Sequence, residues 1–541
     1  MTANCIPYTH VPHSSPLLTD YLYHFDRLSH FYNGSPHDPR SYQAVATQMS
    51  RLTVPRQEMA EILREQNLAF GCPDATLANI ERLRDPGTFA VVTGQQVGLF
   101  SGPAFTLYKA LSTVRLAKSL AEHGLSCVPV FWLATEDHDL EEVAEAATFD
   151  EEFNLLPLHD AGARPSPRSP VGAVRHTEEI ITAIGKMESS LPEGESRSRL
   201  MQDLRECYVP GATWGESFAR FMTRLFGRWG VILLDPLHES VHRLSAGIYS
   251  QSLSRARELR AAAMQNTNAL VQRGYHAQVH VTDDSTLVFV TWQGDRLALH
   301  QRDGKFLMGG TEEISLADLQ AQLARQPLDF SPNVLLRPLV QDFLLPTLAY
   351  VAGPSELAYL GQAQSLYRAL KRPQPVIFPR AAFTLLDTRT ERLMEKYRLG
   401  LEDVWQGEEH LSRRIAAGGF AEGWSERFDQ SERDLEQLLG RLQADIEKLD
   451  PTLLDSLQHA KEKVKYQMEK LRGKVTRAAL GRSDLLARHV HALSRFLLPH
   501  KDLQERRLTG AYFLGRAGYG LLDQLLTQIQ SRCSDHQALK F

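Results

Sequence analysis

The sequence predicts an α/β protein, in which a parallel-sheet core with connecting insertions is followed by a C-terminal α-helical coiled-coil domain. Two patterns predict this class. Up to residue 385, short apolar, β-branched runs alternate with amphipathic helices, as in parallel sheets. Beyond that residue, apolar side chains recur at alternating steps of four and three, which is the heptad pattern of a coiled coil. Four runs are predicted to be buried parallel strands: Phe89–Thr93, Val128–Leu133, Val231–Leu234 and Thr347–Val351.

The length and composition fit one large domain with insertions, or two to three units. The chain has 541 residues and 43% hydrophobic content, which permits a sizeable core. We predict a core at 1–385 that includes a helical N-terminal region and a β-rich insertion at about 275–330. A coiled-coil domain is expected at 386–498, and a helical segment at 499–541 is expected to pack back on the core.

The composition also limits the class of protein. There is no apolar run of membrane-spanning length, and the N-terminus lacks the basic and apolar regions of a secretory signal. The five cysteines are scattered and contain no CxxC pair, as expected of a protein from a reducing cytoplasm. A net charge of −5 gives no general attraction to nucleic acid. We therefore expect neither a membrane nor a nucleic acid as partner.

The first predicted unit reads strand, loop, helix, strand, loop, helix. A loop follows Phe89–Thr93, a helix is expected from Pro103 to Gly124, and Thr135 can cap a second helix after the next strand. Such units almost always make right-handed crossovers in a parallel sheet. Ligands of these sheets bind at the carboxyl ends of the strands, where both polar loops would lie.

The first loop supplies Gln95, Gln96 and Ser101 as candidate substrate-binding residues. Amide side chains both donate and accept hydrogen bonds, which suits a ligand with many hydroxyl groups. Loop glutamines can equally tie the loop together. The expected helix beyond Pro103 would point its N–H groups at the loop and favour an anion there.

The second loop supplies His138, Asp137 and Asp139 as candidate catalytic residues. In a first helical turn, the helix dipole would lower the pKa of His138 and keep it neutral, as a general base requires. Asp137 or Asp139 could orient its ring. Acids in a first turn can also be purely structural, and two of these carboxylates could instead hold Mg²⁺, although no metal is assigned.

The third loop offers Tyr350, Ser355, Glu356 and Tyr359 as further substrate-binding candidates. Glu356 could hold a substrate amino group, or it could be only a first-turn acid. These residues follow Thr347–Val351 and repeat the order of the first unit, so the three loops should converge at one edge of the sheet.

The C-terminal third combines a heptad pattern with positive charge. Pro451 separates two heptad runs and predicts the corner of a helical hairpin that packs with another subunit. Residues 456–482 carry a local charge of +6, which suits a solvated face, a phosphate site or an RNA-binding arm. Four further residues are candidate nucleotide ligands, or simply begin a helix: His500, Lys501, Gln504 and Arg506.

Long motifs throughout the chain carry a family resemblance. They are VVTGQQVGLFSGP, FWLATEDHD, NVLLRPLVQDFLLPTLAYVAGPSELAYLGQ, PVIFPR and PHKDLQERRL. They resemble the bacterial bacillithiol-forming, cysteine-adding enzymes over essentially the whole chain. The resemblance implies a Rossmann-like core with connecting insertions, a coiled-coil homodimer and association with an adenine nucleotide (ATP or ADP). It also implies the reaction, in which the carboxyl group of L-cysteine joins the amine of glucosaminyl malate as an amide, the last step of bacillithiol synthesis.

Two other classes of function stay open from the residues. A class I aminoacyl-tRNA-synthetase-like nucleotidyltransferase would need His-x-Gly-His and Lys-Met-Ser-Lys-Ser motifs, which the chain lacks. It also lacks a P-loop and the dinucleotide GxGxxG motif. A non-catalytic coiled-coil scaffold would not need polar side chains at three successive strand ends. Whether the cysteine carboxyl is activated as an adenylate or a thioester is not evident.

Overall fold

The computed structural model describes residues 4–166, 168–310, 312–419, 424–481, 484–529 and 534–541. Two compact units divide these residues. The first consists of the chain up to Glu151, Leu155–Phe383 and Glu505–Gln537, and the second of Glu152–Asn154, Thr384–Gln504 and Ala538–Phe541. Arg482 of the basic run and Cys533 lie outside the described residues.

The strands are numbered β1 to β15 in chain order. They are Asn4–Ile6, Phe89–Gln95, Cys127–Leu133, Glu145–Phe149, Leu155–His159, Ile232–Leu234, Ser285–Trp292, Asp295–Arg302, Lys305–Met308, Glu312–Ile314, Phe330–Pro332, Thr347–Ala352, Val376–Pro379, Ala382–Leu386 and His536–Lys540.

The α-helices are numbered α1 to α23 in the same way. They are Pro16–Tyr23, Pro39–Met49, Arg56–Ala69, Asp74–Leu83, Phe105–Glu122, Leu140–Val143, Glu179–Ser189, Glu195–Cys207, Trp214–Phe226, Glu239–Ser254, Ala256–Gln272, Leu316–Arg325, Arg337–Leu344, Pro354–Ala369, Thr388–Tyr397, Leu401–Trp405, Glu408–Gly419, Trp424–Leu449, Leu454–Gly481, Asp484–Leu497, Gln504–Arg507, Gly510–Ala517 and Gly520–Gln528.

The first unit is built on a five-stranded sheet in the order β13-β12-β2-β3-β6, with every pair parallel. Val92 stands between Val130 of β3 and Tyr350 of β12 in the register. Its strands are apolar and almost wholly buried because helices cover both faces of such a sheet. The predicted α/β class and the four predicted strands are confirmed.

The β-rich insertion forms a second, antiparallel sheet in the order β10-β9-β8-β7-β11. The hairpin between β7 and β8 turns at Gln293 and Gly294, both with positive φ, between the paired residues Trp292 and Asp295. Two residues in this conformation match the right-handed twist of the flanking strands. The antiparallel character predicted from the sequence is therefore confirmed.

Two predicted helix starts are wrong. Helix α5 begins at Phe105, and Pro103 instead forms a β-bridge with Thr509. The helix expected after Thr135 is absent there, and only the four-residue α6 follows, with Asp139 as its N-cap. The dipole of a helix beginning at residue 136 therefore cannot act on His138.

The second unit contains the predicted helical hairpin, formed by α18 and α19 with a short 3-10 turn at Pro451–Leu453 between them. Lys461 Nζ donates to Gln443 Oε1 at 2.7 Å across the two helices. Several apolar side chains on this hairpin are exposed in the single chain, namely Leu438, Leu442, Leu449 and Leu471. Across the described part of the chain, no helix combines the length and apolarity that crossing a membrane demands.

Candidate functional site

The candidate site lies in the first unit, where the loops after β2, β3 and β12 meet at the carboxyl edge of the parallel sheet. Thr93 Oγ1 donates to the carbonyl of Val351 at 2.8 Å, which ties β2 to the end of β12. Ala134 N donates to Gln95 O at 3.0 Å, which ties β3 to the end of β2. The three loops therefore start from fixed strand ends.

Lys109 is the buried cation of this edge. It is 2% exposed and lies on α5, which is buried over most of its length. Its ammonium donates to the carbonyl of Gly94 and to Gln95 Oε1 at 3.1 Å, and pairs with Glu356 Oε2 at 2.5 Å. Burial lowers the pKa of Lys109, and the charge of Glu356 opposes that change. One side chain thus connects the first loop to the third.

Glu356 accepts hydrogen bonds on both carboxylate oxygens besides the ion pair. The hydroxyl of Tyr350 donates to Oε1 at 2.7 Å, and the N–H of Gly353 donates to Oε2 at 2.7 Å. The second of these bonds closes the first turn of α14. The amino group that Glu356 holds in this structure is therefore that of Lys109, and the carboxylate also has the structural role of a first-turn acid.

Arg337 places a second cation beside this network. Its guanidinium carbon lies 5.4 Å from the ring centre of Tyr350 and 5.7 Å from that of Trp132. Nη2 is 3.5 Å from the Tyr359 hydroxyl, and Nη1 donates to Gln341 at 3.1 Å. Burial raises the pKa of Tyr359 to about 12, against the effect of Arg337. A planar cation between aromatic faces is suited to bind a carboxylate.

Gln96 bridges the first loop to the second. Its Nε2 donates to Asp137 Oδ2 at 2.8 Å and to Glu142 Oε2 at 2.7 Å. The other oxygen of Asp137 accepts from the N–H of His138 at 2.8 Å and of Asp139 at 3.3 Å. These contacts fit the loop-tying interpretation of Gln96, and they hold residues 137–139 in a turn.

His138 is half-buried and faces a cation supplied by the antiparallel insertion. Its Nδ1 lies 3.3 Å from Arg296 Nη1 and 3.7 Å from Asp137 Oδ1. Burial lowers the pKa of His138, Arg296 lowers it further, and Asp137 and Asp139 act in the opposite direction. The pKa of His138 is lowered, as predicted, but the cause is burial and Arg296 and not a helix dipole.

Arg296 is held in place by three contacts within the insertion. Nε donates to Ser331 Oγ at 2.8 Å and Nη2 to the carbonyl of Pro332 at 2.8 Å, and the guanidinium carbon lies 3.9 Å from the Phe289 ring centre. Behind it, Glu136 is buried, with Oε1 3.5 Å from His242 Nε2, and burial raises its pKa. A charged cluster therefore surrounds the second loop.

The remaining predicted residues lie apart from this cluster or have other roles. Ser355 is exposed. Ser101 is buried in a left-handed conformation, with φ 77°, and its hydroxyl has no hydrogen-bond partner among the described residues. Among the described residues, neither Ser355 nor Ser101 is hydrogen-bonded to Lys109 or Glu356.

The four predicted nucleotide ligands fall in different units. His500, Lys501 and Gln504 belong to the second unit, and Arg506 to the first. The amide of Gln504 donates to the carbonyls of Leu385 and Phe496 at 3.1 Å and accepts from Leu385 N at 2.8 Å. That side chain stabilises the second unit, and the four residues stay a prediction.

Sequence reasoning missed Lys109, Arg296 and Arg337 as site residues. Lys109 had a detectable signal, because it is the one lysine in a helix stretch whose neighbours, Leu107 to Leu111, are otherwise uncharged. Arg337 directly follows an apolar run. No pattern in the sequence marks Arg296 as a site residue, because the sequence does not show where the insertion contacts the core. Among the described ranges, no group of three or more His, Cys, Asp or Glu side chains is arranged to hold a metal ion.

A Rossmann-like parallel sheet, charged loops at its carboxyl edge and a separate helical hairpin define the class: a two-part α/β protein with a small-molecule site. The model of the bacillithiol biosynthesis BshC N-terminal Rossmann-like domain matches residues 1–381, and that of the BshC C-terminal coiled-coil domain matches residues 383–541. The chain therefore belongs to the bacillithiol biosynthesis BshC family, and it is an enzyme of the ligase class.

Curated relatives agree with this assignment over their full length. Proteins named "Putative cysteine ligase BshC" from Solibacter usitatus and Koribacter versatilis are each 35% identical, covering 100% of this chain and 100% of the relative. A protein of the same name from Salinibacter ruber is 34% identical over 97% of this chain and 96% of its own length.

Proposed function

We propose that this protein joins L-cysteine to the amine of glucosaminyl malate as an amide, in the last step of bacillithiol synthesis in the cytoplasm. Family membership and the name of its relatives support a cysteine ligase. The structural observation that carries the proposal is the Lys109–Glu356–Tyr350 network beside Arg337 at the carboxyl edge of the sheet. Among the described residues, Cys72, Cys127 and Cys207 are free thiols, which suits a reducing compartment.

The reaction sets three demands on the site. A C–N bond forms, a C–O bond of the cysteine carboxyl breaks, and the sugar ammonium gives up two protons in all. The oxygen leaves as water or with an activating group. The site must therefore bind the malate carboxylates, hold the sugar hydroxyls and accept a proton from the amine.

Arg337 is the proposed partner of a malate carboxylate. It is half-buried beside the Tyr350 and Trp132 rings, where the carboxylate of Glu356 also acts on its charge. A guanidinium can bind a carboxylate through two parallel N–H bonds, which also fixes the orientation of the substrate. Gln95 and Tyr359, which flank this cation network, are the proposed partners of the sugar hydroxyls.

His138 is the proposed general base, with Asp137 and Asp139 next to it. Burial and Arg296 favour the neutral ring, which a base needs. Arg296 donates toward Nδ1, so the ring proton then lies on Nε2. For either nitrogen to accept a proton from the amine, the Arg296–His138 contact has to open or the ring has to change tautomer. Substrate carboxylates that attract Arg296 would open its contact with His138.

An adenine nucleotide is proposed as the activator of the cysteine carboxyl, on the basis of the family resemblance. An adenylate would make the carboxyl carbon reactive toward the amine, and a thioester is the alternative. His500, Lys501, Gln504 and Arg506 remain the proposed nucleotide residues, with Lys501 and Arg506 supplying charge for phosphate groups.

A homodimer through the helical hairpin is also proposed. The apolar side chains that α18 and α19 expose, up to 80% for Leu449, support it because a soluble helix rarely leaves such a seam uncovered. The family model for this region describes a coiled-coil domain.

The test is to incubate the pure protein with glucosaminyl malate and L-cysteine, with and without ATP, and to measure the product by mass. We expect a thiol product whose mass equals the two substrates minus one water. Serine in place of cysteine is the control for the donor. Folded protein that makes no such product under either condition would refute the proposed reaction.

A further inference from the structure

A cavity of about 710 Å³ lies in the first unit, at the opposite edge of the parallel sheet from the candidate site. Its walls are the end of α2, the segment from Phe25 to Gly34, the end of α14 and the turn that leads into β13. Pro373 and Gln374 in that turn come before β13, so the cavity is at the amino end of the strand.

The described residues that line the cavity include four cations and no acidic side chain. The cations are Arg51, Arg368, Lys371 and Arg372. Arg51 and Lys371 are exposed, and neither side chain forms an ion pair or a hydrogen bond with any residue that the structure describes. Like charges that share a concave wall repel one another and attract an anion from solution.

The other two cations are fixed by backbone carbonyls. Arg368 Nη2 donates to His30 O at 2.8 Å, and Arg372 Nη2 donates to Asp342 O at 2.7 Å. The Asp342 carboxyl acts on the charge of Arg372, but it accepts the hydroxyl of Tyr367, and burial raises its pKa to about 6. One such acid does not balance four cations.

The buried wall contains polar atoms without partners. Gln364 is 5% exposed and Gln374 is 1% exposed, and the side-chain oxygen of each has no hydrogen-bond partner in the described chain. Nε of Arg372 is unpartnered in the same way. Buried polar groups are normally paired, so this wall suits a ligand that brings hydrogen-bond donors as well as negative charge.

Lys371 occupies a backbone position that usually belongs to glycine. It follows α14 with φ 55°, while Lys371 N donates to Arg368 O at 3.1 Å and Arg372 N donates to Tyr367 O at 2.9 Å. This is the Schellman motif, whose left-handed residue is most often glycine. Three other helices of the same unit end in this way with glycine, at Gly71, Gly124 and Gly274. A lysine here keeps its charge at the cavity despite an unfavourable backbone conformation.

We propose that this cavity binds a small polyanion, a molecule whose phosphate or carboxylate groups contact the four cations and whose donor groups face Gln364 and Gln374. The cavity volume is in the usual range for small-molecule sites. The site is separate from the carboxyl edge of the sheet, so it goes beyond the proposed reaction and does not depend on it.

The test uses the full-length protein, with pyrophosphate and citrate as probes in calorimetric titration and thermal melting. Lys371→Gly removes a cation and relieves the left-handed backbone, so it should weaken probe binding by about fivefold or more while the melting temperature stays equal or rises. Arg51→Gln should weaken binding similarly. Arg398→Gly is the matched control, because Arg398 has φ 51° at the end of α15 and does not line the cavity.

Binding of either probe that both variants weaken, with Arg398→Gly unchanged, supports the proposal. Pyrophosphate alone would indicate a phosphate ligand, and citrate alone a carboxylate ligand. The proposal is overturned if neither probe binds at millimolar concentration, or if Lys371→Gly and Arg51→Gln bind the probes as tightly as the wild-type protein. Turnover of glucosaminyl malate is measured separately, so neither result depends on the other.

Discussion

Lys109 and Glu356 form a buried ion pair of 2.5 Å that joins the helix after β2 to the helix after β12. Lys109 has two further acceptors, the carbonyl of Gly94 and the side chain of Gln95, and both are neutral. Among the residues that the structure describes, Glu356 is thus the carboxylate that pairs with this buried cation. The pair gives the first and third loops a shared electrostatic support.

Breaking this pair from one side should be costly. Glu356→Gln leaves the Lys109 ammonium buried without an opposite charge, and we expect a loss of about 3–5 kcal/mol in the free energy of unfolding. Urea denaturation of the purified variants measures it. The double variant Lys109→Met/Glu356→Gln should regain part of the loss because both charges are gone, and fully additive losses would contradict the coupling.

His138→Ala should lower kcat by roughly 10²–10⁴-fold, the usual range for a general acid–base group. Gln96→Ala should act mainly on KM, because an amide transfers no proton. Steady-state kinetics of the two variants, with circular dichroism to check folding, separate these effects. Normal turnover in a folded His138→Ala protein would exclude the base assignment, and Asp137 would be examined next.

Arg296→Gln should shift the pH dependence of kcat/KM. A base must be neutral, so activity falls as pH decreases through the pKa of His138. Burial and Arg296 both lower that pKa, so removing the guanidinium raises it and moves the acid limb of the profile to higher pH. Arg296→Lys keeps the charge and should shift the limb less. An acid limb that stays in place in Arg296→Gln would argue against His138 as the titrating group.

ADP at millimolar concentration should raise the melting temperature of the protein, since a ligand that binds only the folded state stabilises it. Lys501→Ala and Arg506→Ala should reduce that rise because they remove charge facing phosphate groups. Gln504→Ala should instead lower the melting temperature without ligand, because its amide makes three buried hydrogen bonds. If ADP changed neither the melting temperature nor tryptophan fluorescence, the nucleotide proposal would be dropped.

Light scattering should give twice the chain mass for the wild-type protein. Leu438→Lys/Leu442→Lys should give the single-chain mass, because these side chains are 55% and 45% exposed on α18 and would be covered only by a partner. Val271→Lys, at a 51% exposed position of α11, is the control and should leave the mass unchanged. A monomeric wild-type protein would refute the dimer.

The parallel strands could be predicted because buried strands are continuous apolar runs, and no other element explains short runs such as Val128–Leu133 so simply. The absence of a helix directly after Thr135 could not be predicted from such a local pattern. Asp137 resembles a first-turn acid, but in the structure its carboxylate accepts from the N–H groups of His138 and Asp139 and competes with helix formation there. Asp139 instead caps the short helix α6.

The candidate site was only partly predictable for a different reason. The loops carry their polar residues next to the strands, so Gln95, Asp137 and Glu356 could be found by position. Arg296 acts on the same edge from the insertion, and Arg337 acts on it from the helix before β12. No periodicity in the sequence indicates that either side chain reaches this edge. Contacts of this kind depend on tertiary packing and not on local pattern.

The strand order β13-β12-β2-β3-β6 has a consequence for biogenesis. During synthesis β2 can pair with β3 early, whereas its other neighbour, β12, is about 250 residues further along. At typical rates of translation that interval is roughly 10–50 s, during which one side of β2 has unpaired backbone groups. An exposed strand edge is a template for incorrect pairing, so the nascent chain is most vulnerable to aggregation until Thr347–Ala352 has left the ribosome.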